Sequence, residues 1–401
     1  MCEVHNFSLP TKIIFGCGSL NLLPQEIHTL LKDTKSYTNF SNKITCLLVT
    51  GKCSMKKAGV VERITLLLSS SLNIEIVLFD KVEPEVTTDN VEQGVEVAKE
   101  AQPDVIVGLG GGSAIDCGKA ISGLSGKKNG SVAEYLEGKK EIDTPGIPYI
   151  AIPTTAGTGA EVTPNAVLIN KEKGTKTSLR SKYLYPQIAL IDPELTITLP
   201  PKITAYSGMD ALSQSIEAYV SLGASVITDA IAVKSVELIM KNILTAYRNG
   251  ENVSSREGMS YGALLSGIAL SNARLGLVHA IAHPLGAVHN IPHGLLCGLL
   301  LPYVMEYNKE LPQVAQKYSE LAKILPPDEK NNYKSGADCI IDKIKSLLKE
   351  LNFPENLRSL GVKKDDFKKV ASAALSSSGS IKFNPRKANE KDIEEILNIA
   401  W

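Results

Sequence analysis

The sequence lacks most of the features that mark a chain for a specialised partner. Basic and acidic side chains are equal in number, 43 each, so no charge excess draws it to nucleic acid or to an anionic membrane surface. No apolar run is long enough to span a bilayer; residues 295–304 come nearest and are interrupted by Gly298 and Pro302. The opening MCEVHNFSLPTKIIFG has neither the basic start nor the apolar stretch of a secretory signal. Seven cysteines are scattered without a CxxC pair, which excludes a disulfide framework or a zinc knot and reads as reduced thiols. These absences predict a cytoplasmic protein with a small-molecule substrate, no nucleic acid and no membrane.

What is present points to an enzyme of two domains, since 401 residues exceed what one hydrophobic core usually absorbs. Short apolar runs at 44–50, 74–79, 105–109, 149–152 and 188–191 have the length and β-branched content of strands buried on both faces of a parallel sheet. Helical spacing at 88–101 and 113–124 falls between them, so βαβ units with right-handed crossovers are expected. The polar segment 32–43 reads as a surface connection. Beyond Leu199-Pro200-Pro201 the strand signal ends, and helical patterns follow at 204–220, 225–247, 256–271, 276–287, 295–307, 311–324, 336–351 and 390–399. The expected fold is an α/β domain with a parallel sheet, residues 1–195, followed by an all-helical domain, residues 196–401.

Two loops in the first domain are built to hold a ligand. The strand ending DVIVGL runs into Gly110, Gly111, Gly112 and Ser113, then a helix. Glycine lets the backbone turn sharply and approach a ligand; Ser113 is expected to cap the helix, whose amides suit a pyrophosphate. The turn is not GxGxxG, so the usual dinucleotide fingerprint is absent. After the next strand, PTTAGTGAEVT offers Thr154, Thr155, Thr158 and Thr163 as donors and acceptors.

Histidine is scarce, and four of the six fall at His279, His283, His289 and His293. His279 and His283 share a face if the helix continues, a distance that Pro284 limits. Upstream, Asp210 and Gln214 are four apart on one helical face. A carboxylate with two imidazoles is a ligand set for zinc or ferrous iron that leaves a position for substrate.

These stretches, with Phe15-Gly16, Asp116, Lys119, Asp192-Pro193-Glu194-Leu195 and Asn384-Pro385-Arg386, resemble the iron-containing alcohol dehydrogenases nearly end to end. The resemblance implies that residues 1–195 form an α/β dinucleotide-binding domain and residues 196–401 an all-helical metal and substrate domain, with hydride transfer between NAD or NADP and a small alcohol or aldehyde in the cleft between them. It implies metal ligands at Asp210, His279 and His293, with a fourth at position 214. The family has histidine there and this chain has Gln214, a weaker neutral donor. Ferrous iron is the metal implied, with zinc as the substitute. His283 matches a histidine near the nicotinamide and is expected to relay the alcohol proton; His289 matches no ligand and is expected to line the pocket at most. Gly110 to Ser113 would hold the pyrophosphate, and Thr154, Thr155, Thr163 and Lys176 would lie along the cofactor. Relatives that prefer NAD tend to carry an acid after the second strand, where this chain has Gly51-Lys52-Cys53-Ser54. Without that carboxylate, a 2′-phosphate meets no repulsion and Ser54 can bind it, so NADP(H) is expected to be tolerated or preferred. The resemblance also implies a homodimer. Two rival readings are a cyclase or lyase of the dehydroquinate-synthase type and a degenerate member that binds nucleotide without turnover.

Overall fold

The computed structural model describes residues 4–33, 43–70, 74–127, 130–325, 335–377 and 379–401. Most of the polar connection expected at 32–43 lies outside the described residues. The chain forms two units. One comprises Leu9–Thr155 and Gly159–Thr198; the other comprises Leu199–Trp401, residues 4–8 and the short segment Ala156–Thr158.

The first unit is a parallel six-stranded sheet flanked by helices. Its strands are β1 (Lys12–Phe15), β2 (Ile44–Gly51), β3 (Ile74–Val82), β4 (Val105–Gly110), β5 (Tyr149–Pro153) and β8 (Ile188–Ile191), in the order β1-β8-β5-β4-β2-β3. β6 (Asn165–Asn170) and β7 (Thr175–Arg180) form a separate antiparallel hairpin. The helices are α1 (Leu23–Asp33), α2 (Ser54–Lys57), α3 (Val60–Ser69), α4 (Thr88–Ala101), α5 (Gly112–Leu124) and α6 (Val132–Leu136). β4 and β5 are buried at every position, as their unbroken apolar sequences require of strands covered on both faces. From β2 the chain moves outward to β3, then returns to β4 on the other side of β2 and continues to β5. The sheet order therefore reverses between β2 and β4, where open α/β sheets bind ligands at the carboxyl ends of their strands.

Three strands escaped the sequence reading. β1 is only four residues long and partly exposed. β6 has a four-residue apolar stretch between two asparagines and β7 is polar but for Leu179, and their positions depend on tertiary partners. The Ile169 N–H donates to Val86 O at 2.8 Å, and the Val167 N–H donates to Asp116 Oδ2 at 2.9 Å.

The second unit is helical: α7 (Pro201–Val220), α8 (Val226–Arg248), α9 (Val253–Ala273), α10 (Leu277–His289), α11 (His293–Asn308), α12 (Pro312–Leu321), α13 (Gly336–Glu350), α14 (Phe367–Ser377) and α15 (Glu390–Ile399). α7 lies at its centre, packed against α8, α9 and α11. Small side chains let these helices approach: Ser215 and Ser235 Oγ are 2.7 Å apart, and Ser235 donates to Gly262 O at 2.6 Å. α10 continues past Pro284 to His289, although the proline was expected to limit it. Fully buried Ile281 and Leu285 flank it, and their burial outweighs the one backbone hydrogen bond that proline removes. Among the described residues no single helix is long and apolar enough to cross a membrane.

Candidate functional site

α7 opens on Pro201, where proline is tolerated because the first helical N–H has no intrahelical partner. Asp210, Gln214 and Glu217 follow at i, i+4 and i+7, which places three polar side chains on one face. All three are buried, so their partners must be protein groups or a bound ion.

The partners come from α10 and α11. Asn384 Oδ1 accepts the Leu277 N–H at 3.1 Å, and Glu217 Oε1 accepts the Val278 N–H at 2.6 Å. The other oxygen of Glu217 binds His279 Nδ1. With Nδ1 held, the opposite ring nitrogen faces Asp210: Nε2 lies 3.4 Å from Oδ1. His293, the first residue of α11, brings its Nε2 to 3.6 Å from the same oxygen. One turn later Cys297 places Sγ 3.4 Å from His293 Nε2. The approach of α11 to α7 depends on Gly294, where a Cβ would lie 2.2 Å from Tyr206 O and 3.3 Å from Asp210 Cβ.

One donor atom each from Asp210, His279, His293 and Cys297 thus falls within 4.8 Å of the others. Asp210 Oδ1 and His279 Nε2 are both buried and make no hydrogen bond. Leaving such an atom unsatisfied costs about 1–3 kcal/mol, and here two of them are aimed at one point beside a third nitrogen. Burial works against a charged His279, but attraction from Cys297, Glu217 and Asp210 outweighs it and raises its pKa well above the usual imidazole value. The pocket favours positive charge. A carboxylate and two imidazoles turned inward in such a field fit a divalent metal.

Gln214 is a correction to the expected ligand set. Its Nε2 donates to Asp210 Oδ2 at 3.1 Å, and the Ser266 hydroxyl donates to its Oε1 at 2.9 Å. The oxygen that would ligate is turned to Ser266 because the carboxylate beside it can only accept, and so takes the amide N–H. Gln214 braces Asp210. His283 lies over the open side of the cluster, half-buried, its ring stacked on His293 with centroids 4.9 Å apart and edge-on to His279 at 6.1 Å. His289 is not gathered in; its Nε2 lies 3.4 Å from Asp366 Oδ2. Glu217 and Cys297 were missed by the sequence reading. Their signals were the i+7 spacing from Asp210 and the i+4 spacing from His293.

In the first unit the glycine turn sits where the sheet order reverses. Thr50, beside Gly51, donates its hydroxyl to Leu109 O at 2.9 Å, so the carboxyl ends of β2 and β4 adjoin. Gly110 has φ of 145°, and a Cβ there would meet Ala114 Cβ at 2.8 Å, so the turn requires glycine. The expected cap at Ser113 is corrected. The N-cap is Gly111, with no side-chain hydrogen bond, while Ser113 lies inside α5 and donates to Pro84 O. The start of α5 is thus left without a side-chain cap, as an anion site requires. Gly112 opens α5. Thr154 donates its N–H to Gly110 O at 2.9 Å, and the Thr155 side chain lies over Gly111.

Other residues expected along the cofactor have structural partners. Thr163 is buried, with Oγ1 3.1 Å from Lys119 Nζ. Lys119 is itself fully buried and pairs with Asp116 at 2.8 Å, tying the loop after β5 to α5. Lys176 on β7 pairs with Glu85 at 2.5 Å. Thr158 falls in the segment that belongs to the helical unit. Ser54 is exposed at the start of α2, whose Lys56 pairs with Asp80.

An uncapped helix start at a sheet's switch point, with a buried inward-facing donor set in a helical unit, is the build of a metal-assisted, nucleotide-dependent oxidoreductase. Comparison with known proteins makes this specific. The chain matches iron-containing alcohol dehydrogenase over residues 10–193 and the Fe-containing alcohol dehydrogenase family, C-terminal, over residues 204–401. It is 39% identical to 1,3-propanediol dehydrogenase of Citrobacter freundii over 88% of this chain and 91% of that one. It is 35% identical to lactaldehyde reductase of Escherichia coli K12 over 96% and 97% of the two chains. A solved 1,3-propanediol oxidoreductase superposes with a TM-score of 0.90 at 36% identity, covering all of both chains. The chain belongs to the iron-containing alcohol dehydrogenase family. It is an alcohol and aldehyde oxidoreductase of a family that uses NAD(P) and a divalent metal.

Proposed function

We propose that the protein interconverts a small primary alcohol and its aldehyde with NADP(H) tolerated or preferred, at a divalent metal held by Asp210, His279 and His293. When bound, the nicotinamide carries the hydride and the metal polarises the substrate oxygen. Glu217 holds His279 in the tautomer that presents Nε2 inward, and Gln214 steadies Asp210. Asp210 and His279 are buried whereas His283 and His293 are half-exposed, so substrate approaches from the histidine side. His283 stands on that side, half-buried and stacked on His293, with an imidazole that can both accept and donate a proton, which suits it to pass the alcohol proton to solvent.

Gly110, Gly111 and Gly112 give a pyrophosphate close access to the start of α5, and Thr154 and Thr155 border that turn. Gly51 leaves room after β2, and exposed Lys52 and Ser54 offer a 2′-phosphate a cation and a hydroxyl. The names carried by the relatives put three-carbon diols and hydroxyaldehydes first among substrates to try. The proposal includes a cytoplasmic homodimer.

The observation that carries this reading is the pair of unsatisfied buried atoms, Asp210 Oδ1 and His279 Nε2, facing each other beside His293. The test is anaerobic purification, elemental analysis, and NADPH and NADH oxidation with propanal, 3-hydroxypropanal and lactaldehyde, before and after adding ferrous iron or zinc. One metal per chain and metal-dependent turnover are expected. Full turnover after metal removal sinks the metal's role, and a strong NADH preference sinks the cofactor assignment.

A further inference from the structure

We propose that Cys297 is the fourth protein ligand of the metal, bound as a thiolate, and that it turns the site toward zinc. This rests on the metal-assisted reading above and goes beyond it in naming the ligand and the metal preference.

Three observations carry it. First, the spacing fits. The contacts among Asp210 Oδ1, His279 Nε2, His293 Nε2 and Cys297 Sγ include separations of 3.4, 3.6 and 3.4 Å, and one donor atom from each of the four residues lies within 4.8 Å of the others. A tetrahedral zinc with nitrogen, oxygen and sulfur ligands has edges of about 3.3–3.6 Å, so a small inward movement closes the sphere.

Second, the sulfur is committed to this place. Cys297 is fully buried, and its residue is pressed toward α7 by the glycine that follows. A Cβ on Gly298 would lie 2.7 Å from the Phe353 ring and 3.0 Å from Met209 Cβ. Third, two other buried atoms of the set, Asp210 Oδ1 and His279 Nε2, have no hydrogen bond and point at the same space. The neutral candidate has meanwhile been drawn away, its amide shared between Asp210 and Ser266.

The chemistry follows from softness. On metal entry the S–H bond breaks, the sulfur–metal bond forms and the proton leaves to solvent past the half-exposed His293 and His283. Thiolate selects zinc over metals that prefer oxygen and nitrogen donors, so one sulfur in place of a neutral amide shifts preference from ferrous iron toward zinc.

The test uses the full-length chain, stripped by chelator and reloaded with cobalt(II) or zinc, beside the near-isosteric Cys297→Ser variant and a Gln214→Ala control. Circular dichroism checks folding. The expected result is one cobalt per chain with a near-ultraviolet thiolate-to-cobalt charge-transfer band. That band should vanish in Cys297→Ser and persist in Gln214→Ala, and zinc affinity should fall more than about 100-fold in Cys297→Ser. One cobalt per chain with no thiolate band, and zinc held equally by wild type and Cys297→Ser, overturns the ligand assignment while leaving the metal site standing. A folded wild-type chain that retains no cobalt, zinc or ferrous iron overturns the metal reading as well.

Discussion

The two regions that carry the chemistry are built in opposite ways. The turn proposed for the nucleotide is local: Gly110, Gly111 and Gly112 are adjacent, and the helix start they form carries no side-chain cap. The donor cluster is assembled from three helices, with residues up to 87 positions apart between Asp210 and Cys297. The turn tolerates change outside its glycines, because it needs only space and a helix start. The cluster depends on supports behind its donor atoms: Glu217 behind His279, Gln214 beside Asp210, Asn384 at the start of α10 and Gly294 at the helix crossing.

The sharpest way to break this contrast is Asp210→Asn, which keeps the volume and an acceptor for Gln214 while removing the charge. Turnover should fall at least about a thousand-fold, as losing several kcal/mol of oxygen polarisation requires. The melting temperature should stay within a few degrees. Normal turnover with normal metal content would show that the cluster is not the reacting centre.

Next in size is Lys119→Met in the α/β unit. It leaves Asp116 buried without its cation, and urea denaturation should report a loss of about 3–5 kcal/mol. A neutral result would mean that the loop after β5 is held by Thr163 and the backbone alone. For the turn itself, Gly51→Asp places a carboxylate where a 2′-phosphate would lie. The ratio of kcat/KM for NADPH over NADH should drop by about 10- to 100-fold. An unchanged ratio would move the ribose site away from β2.

The smallest effect concerns Glu161, which burial pushes up to about 7 from an ordinary 4.5. Its folded-state value lies above the unfolded one, so its contribution is fully present below 4.5 and is lost as pH rises through 7, with a slope of at most about 1.36 kcal/mol per pH unit. Glu161→Gln should flatten thermal stability across that window and melt higher than wild type above pH 7. Parallel pH profiles for the two proteins would show that the carboxyl titrates normally.

Much of the fold could be read in advance where one segment decides its own fate. β2, β3, β4, β5 and β8 were visible as apolar runs, and the change to helices after Pro200 was visible as a loss of those runs. β6 and β7 were invisible because β6 takes its partners from Val86 and Asp116, and the polar TKTSLR of β7 becomes strand only by pairing with β6. Ser113 looked like a cap because serine favours that position. The backbone placed it inside the first turn of α5, with its hydroxyl on Pro84. Gln214 stands at the fourth ligand position that the family resemblance implies, and Ser266, 52 residues away on α9, turns its oxygen aside.

The sequence by itself determined five strands of the parallel sheet, the glycine turn and the scarce histidines, because local backbone freedom and hydrophobic periodicity need no distant partner. Only the tertiary structure decided which donors meet. The ring orientation that aims His279 at Asp210 and the hydrogen bond that turns Gln214 each depend on a side chain from another helix, and the arrival of Cys297 depends on the close crossing at Gly294. Such orientations are set by hydrogen bonds and close packing between elements, which a linear pattern does not encode.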